Sequence, residues 1–142
     1  MKNKQNFFTD NSDLSFHLSD KRMNQLFDWM SEDEKSAIGV TTVEEYQKQW
    51  FDILEVVGEY TGSTLASNAQ KVAREDLKLV DGEVIFPPTI KENLRIFSEI
   101  GGPAMSIRTE FGGMEAPLVF ELTAFEMIYR ACPSTALSIC WY

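Results

Sequence analysis

The strongest pattern in the sequence is a run of apolar residues that recur every three or four positions through its middle. Thr42 and Glu45 fit a capping box at its start, in which the threonine hydroxyl accepts from a backbone N–H and the glutamate reaches back to the cap residue. The spacing of the run predicts an amphipathic helix from residue 42 to about residue 70. Its apolar residues are Val43, Tyr46, Trp50, Ile53, Val57, Tyr60 and Leu65.

Gly58 and Gly62 lie inside this predicted helix. A glycine in a helix interior costs about 1 kcal/mol relative to alanine. We therefore expect the two glycines to let another backbone pack closely against the helix.

A second capping box, Thr89 with Glu92, opens the next apolar repeat. Gly101 follows the last apolar position and suits a helix C-terminus, so we expect a helix over residues 89–100. Asp81 and Gly82 form a turn signal in the connection that precedes it.

Two more helices are predicted near the end of the chain. Pro117 suits the first turn of one, which should end near Cys132, and another run begins at Ser134. We expect the first of these helices to turn a set of apolar residues inward, namely Leu118, Leu122, Phe125 and either Ile128 or Tyr129.

The first 41 residues carry weaker signals. Residues 1–18 predict an irregular or short extended segment that lies on the folded part, and Ser19 suits the cap of a short helix. No convincing strand is present, so the sequence predicts an all-α bundle with an N-terminal extension at 1–41 and a helical domain at 42–142.

The charge balance argues against nucleic acid as a partner. Thirteen basic and 22 acidic residues give a formal net charge of -9, which is the wrong sign for binding the nucleic-acid backbone. We find no apolar run long enough for a membrane span and no leader-like segment, so a cytoplasmic location is the default expectation. Cys132 and Cys140 are eight positions apart and are predicted to be free, buried thiols.

The amino-acid composition does not indicate a particular chemical reaction. The sequence lacks the common nucleotide-binding, nucleophile and zinc motifs, and the single histidine, His17, is expected at the surface or in packing. The tryptophans Trp29, Trp50 and Trp141 are predicted to belong to the core rather than to stack on a cofactor, and Met105, Met114 and Met127 are assigned to packing.

From Pro87 onward the order of features resembles the N-terminal helical domain of the acyl-CoA dehydrogenase family. A helix ends in a glycine, a short apolar stretch leads to Glu-Phe-Gly-Gly at 110–113, and Met114 and Pro117 precede a helix that carries Glu126. The earlier part is similar to the longer subfamily of these flavoproteins, which has an extra N-terminal segment. The resemblance covers most of the chain.

The resemblance implies an enzyme that uses FAD to desaturate an acyl-CoA thioester and passes electrons to an electron-transferring flavoprotein. In the family, the catalytic glutamate and most flavin contacts belong to other domains, so the 142 residues alone are expected to be inactive and to bind no FAD. By position, Ala136, Cys140 and Trp141 are candidate substrate-binding residues in the wall of the acyl tunnel, with plain core packing as the alternative for each.

The last residues are apolar and uncapped. This pattern leads us to expect a fragment of a longer protein that self-associates as a homo-oligomer. The competing hypothesis is a stand-alone helical module that binds another protein and has no redox activity.

Overall fold

The computed structural model describes residues 5–141, and most of them are helical. The α-helices are α1 (Ser12–Leu18), α2 (Asn24–Asp28), α3 (Glu32–Ala37), α4 (Val43–Glu59), α5 (Ala66–Val72), α6 (Pro88–Glu99), α7 (Leu118–Ala131) and α8 (Pro133–Trp141). A two-stranded hairpin, β1 (Lys78–Val80) and β2 (Glu83–Ile85), lies between α5 and α6. The predicted helical class is confirmed.

The central helix begins where the capping box predicted. The Glu45 N–H donates to Thr42 Oγ1 and the Thr42 N–H donates to Glu45 Oε2, each at 3.2 Å. The helical path continues without a loop through a π-helical segment, Tyr60–Leu65, into α5. The predicted helix over residues 42–70 is therefore confirmed, with a wider turn in its middle.

The close approach predicted at the two glycines is also confirmed, and the approaching backbone is the N-terminal segment. The Phe7 N–H donates to the Gly58 carbonyl at 3.0 Å. A Cβ on Gly62 would lie 2.1 Å from the Gln5 carbonyl oxygen, so only glycine fits there. Residues 5–8 thus lie across α4 and the π-helical segment.

Two expectations for the N-terminal part are wrong. Residues 12–18 form α1 rather than an irregular segment, because Asn11 accepts from the Asp13 N–H and Leu14 and Leu18 bury one face. The chain beyond it starts with a 3₁₀ turn capped by Asp20, not with a helix capped by Ser19.

The prediction that no strand is present is wrong. In the hairpin, Leu79 pairs with Val84, and the turn residues Asp81 and Gly82 both have positive φ, at 51° and 84°. Positive φ at both central positions is the geometry that twisted hairpins favour, and it confirms the turn predicted here. Each strand has only three residues, too few to give an alternating pattern.

Helix α6 has the predicted extent but a different cap. Glu75 receives the Thr89 N–H at 3.0 Å and the Thr89 hydroxyl at 2.7 Å, so the carboxylate that caps this helix comes from before the hairpin and not from Glu92. Gly101 ends the helix with a φ of 79°, as its position predicted.

The inward face predicted for α7 is wrong in part. Leu118 and Leu122 are 66% and 57% exposed, whereas Phe120, Met127 and Ile128 are buried. Apolar residues surround almost the whole of α7, so the pattern could not show which face is inside.

The core forms where α4 packs against α7. The rings of Trp50 and Phe120 stack with centroids 5.5 Å apart, and Tyr46 meets both edge-on. Trp50 is fully buried as predicted, but Trp29, also predicted to be core, is 76% exposed just after α2. Among the described residues, none of the helices is sufficiently long and apolar to cross a membrane.

Candidate functional site

An open groove of about 820 Å³ lies between α6, α7 and α8. Most of its lining is apolar. The apolar side chains come from Phe86, Leu94, Phe97, Met105, Ala124, Phe125, Ile128 and Ile139.

Small residues make room for this groove. Ala124 occupies the middle of α7, where a larger side chain would fill the space. The Phe97 ring lies against Gly102, where an added Cβ would come within 2.2 Å of the ring carbon Cε2. The glycine after α6 therefore lets an aromatic side chain form one side of the groove.

Charged groups line the groove on two of its helices. Lys91 and Arg95 are one turn apart on α6, and Glu121 belongs to the first turn of α7. Arg95 already pairs with Glu92, at 2.7 Å, and with Glu99, and these carboxylates raise its pKa. Its guanidinium is thus held along α6, and the apolar side chains account for most of the remaining lining.

Of the three predicted site residues, Cys140 lines this groove. Its Sγ lies 3.5 Å from the Tyr129 hydroxyl, and this contact raises the pKa of Tyr129. The thiol is exposed, so the prediction of two buried cysteines is right for Cys132 and wrong for Cys140.

The other two predicted residues also belong to α8. Ala136 is fully buried in the core and is not among the residues that line the groove. Trp141 is the last residue of α8, and its side chain lies outside what the structure describes.

Sequence reasoning missed most of the groove because its residues look like ordinary core positions. Leu94 and Phe97 recur at the apolar spacing of the helix predicted over residues 89–100, and Ile139 belongs to the apolar run after Ser134. Their apolar spacing was visible, but which helices face one another was not. A groove between three helices leaves no local motif in the chain.

A buried chain of hydrogen bonds lies beside the groove. Asn68 Nδ2 donates to Asn93 Oδ1 at 2.8 Å, and Asn93 Nδ2 donates to Thr135 Oγ1 at 2.9 Å. Thr135 Oγ1 in turn donates to Cys132 Sγ at 3.3 Å, and the Tyr60 hydroxyl donates to the backbone carbonyl of Asn93 at 2.7 Å. This network joins the π-helical segment, α5, α6 and α8.

The Glu-Phe-Gly-Gly sequence forms a tight loop before α7. It contains a 3₁₀ turn, Thr109–Phe111, and then Gly112 with a φ of 81°. A Cβ on Gly113 would lie 1.9 Å from the Ile107 carbonyl oxygen, so the loop closes directly onto its own backbone. Phe111 points outward and does not line the groove.

A second, polar cleft contains His17 beside Asp10, Asp13, Glu126 and Arg130. His17 is exposed, as its surface assignment predicted. Within residues 5–141, no group of three His, Cys, Asp or Glu side chains is arranged to hold a metal ion.

Comparisons with known proteins give no further guide. No protein-family model, no curated protein and no solved structure matches this chain.

Proposed function

We propose that this chain is the N-terminal helical part of an FAD-dependent acyl-CoA dehydrogenase and that the groove between α6, α7 and α8 receives the acyl chain of its substrate. The observation that carries the proposal is the groove itself, whose walls are mainly apolar and include Cys140. The order of sequence features from Pro87 to Glu126, which resembles that of this enzyme family, also supports the proposal.

The groove suits an alkyl chain on physical grounds. Each methylene group removed from water contributes about 0.8 kcal/mol, and aromatic and aliphatic side chains form most of the lining. Charged groups that line it, Lys91 and Glu121 among them, suit the polar end of such a ligand better than its tail.

The groove suits a flavin less well. A flavin dinucleotide needs several polar partners, for its pyrophosphate among other groups, and the lining is mainly apolar. Of the cations Lys91 and Arg95 in the lining, Arg95 is already paired with two carboxylates. We therefore assign the FAD contacts, the catalytic glutamate and the docking of the electron-transferring flavoprotein to other parts of a larger, homo-oligomeric enzyme. FAD supplies the hydride acceptor in such an enzyme.

A second candidate function is a helical module that binds another protein. Leu118 and Leu122, four positions apart on one face of α7, have exposed side chains, and so has Leu137 on α8. They favour this function, because exposed apolar residues that share a face are typical of interaction sites. This candidate needs neither FAD nor an acyl-CoA.

The native gene product tests the two candidates. We expect a protein much larger than 16.2 kDa that carries flavin and is bleached by a saturated acyl-CoA in the absence of oxygen. A flavin-free product that does not respond to acyl-CoA would contradict the dehydrogenase proposal and favour the interaction module.

A further inference from the structure

The hydrogen bond between Asn93 and Thr135 joins α6 and α8, two of the helices that line the groove. Asn93 belongs to α6 and Thr135 to the first turn of α8, and both side chains are fully buried. They are 42 positions apart in the sequence, so the bond fixes a tertiary contact rather than a local one.

The bond lies one helical turn from the groove on both helices. Phe97 follows Asn93 by four positions, and Ile139 follows Thr135 by four. Residues four apart share a helix face, so each polar residue neighbours a side chain that lines the groove. The bond therefore restrains the spacing between α6 and α8 one helical turn before Phe97 and Ile139.

The network holds that spacing firmly. The side chain of Asn93 accepts from Asn68 through Oδ1 and donates to Thr135 through Nδ2. The Thr135 hydroxyl in turn donates to Cys132 Sγ. A buried amide that loses its acceptor carries a desolvation penalty unless water reaches it. Removing the Thr135 hydroxyl thus favours a wider separation of α6 and α8.

We infer that Asn93 and Thr135 are positioning residues that set the width of the groove and thereby its preference for acyl chain length. The inference rests on the proposed acyl-binding function and adds the determinant of chain length. Neither residue lines the groove, so their effect on the ligand passes through Phe97 and Ile139.

The test is calorimetric titration of the whole chain with octanoyl-CoA and hexadecanoyl-CoA, both below their micelle concentrations. Thr135→Val keeps the shape of the side chain and removes its hydroxyl. We expect it to change the affinity ratio by about two- to tenfold in favour of the longer chain, which is the range that one hydrogen bond is worth. Thr135→Ser restores the hydroxyl and should restore the ratio.

Thr61→Val is the matched control. Thr61 is equally buried, but its hydroxyl donates to the Gly58 carbonyl within the same helical path and bridges no helices. It should lower stability without changing the ratio. Should Thr135→Val fail to fold, Asn68→Ala removes the half-buried outer bond of the network and should shift the ratio in the same direction by less.

The outcomes separate the two proposals. If the unsubstituted chain binds both ligands and Thr135→Val, or Asn68→Ala in its place, leaves their ratio unchanged, the positioning role is wrong and acyl binding stands. An equal change in Thr61→Val also contradicts the positioning role. If the unsubstituted chain binds neither ligand, the acyl-binding groove and the positioning role are both wrong.

Discussion

At the scale of single residues, Gly58 joins the N-terminal segment to the central helix. Its carbonyl accepts from Phe7, and a Cβ at this position would lie 2.1 Å from Asn6 Oδ1 and 2.8 Å from the Phe8 nitrogen. The glycine weakens the helix on its own, but it permits a contact that a larger residue would block.

The first prediction concerns Gly58→Ala. In the whole chain we expect it to destabilise the fold by about 1–3 kcal/mol, because the methyl group displaces the N-terminal segment. In a chain lacking residues 1–10 the same substitution should stabilise the fold by up to about 1 kcal/mol, through helix propensity alone. Urea unfolding of the four proteins measures both effects.

The control for this pair is Ser67→Ala, on an exposed position of the same helical path. It should change stability by less than about 0.5 kcal/mol in both chain lengths. Destabilisation by Gly58→Ala in the shortened chain as well would show that the clash is not with the N-terminal segment.

A second prediction at this scale concerns Glu75. Its hydrogen bonds to Thr89 lower its pKa below the ordinary value of 4.5, so the folded state favours the carboxylate. The stabilisation is present above that value and is lost as the pH falls through the folded-state pKa. Glu75→Gln should therefore lower the melting temperature at neutral pH and have a smaller effect in acid.

Thr89→Val provides the comparison for this pH dependence. It removes the hydroxyl contact and keeps the backbone N–H bond, so its effect should be intermediate. Melting curves from neutral pH to about pH 3 measure the difference. A melting temperature lowered by the same amount at every pH in Glu75→Gln would rule out linkage through this carboxylate.

At the scale of elements, the ends of α7 could be predicted from the sequence, but its inward face could not. The start after Pro117 and the end near Cys132 follow from local chemistry and are correct. The inward face depends on which residues of α4 lie opposite, and Trp50 selects Phe120 by stacking rather than the leucines on either side.

The third prediction compares the two faces of α7. Phe120→Ala should cost about 3–5 kcal/mol, because it leaves a cavity against Trp50. Leu122→Ala removes an exposed side chain and should cost less than about 1 kcal/mol in the isolated chain. Comparable losses for the two substitutions in denaturant unfolding would place Leu122 in a buried contact.

The hairpin and α6 likewise combine a local feature that the sequence predicts with a longer-range feature that it does not. The turn at Asp81 and Gly82 was predictable because it needs positive φ, whereas the flanking strands are too short for a pattern. The cap of α6 was not predictable, because Glu75 is 14 positions from Thr89. Local rules identified Glu92, which instead pairs with Arg95.

At the scale of the whole molecule, the helices were largely predictable and the groove was not. Capping residues and apolar spacing are local, and they place α4, α6, α7 and α8 within a few residues. The groove depends on how three helices meet, and the bond between Asn93 and Thr135 joins two of them, α6 and α8, across 42 positions. Of the two candidate site residues whose side chains the structure describes, Cys140 lines the groove and Ala136 does not. The resemblance pointed to the segment that contains Cys140 and not to its contacts.

If an acyl chain occupies the groove between α6, α7 and α8, its methylene protons must lie close to the side chains of the lining. The most direct measurement is nuclear Overhauser contacts between the methylene protons of dodecanoyl-CoA and the side chains of the whole chain, with CoA alone as the reference. We expect contacts of the acyl protons to Phe125, Ile128 and Ile139, and none of these with CoA. Contacts confined to the hairpin or to the exposed leucines of α7, or no contacts at all, would contradict acyl binding in the groove.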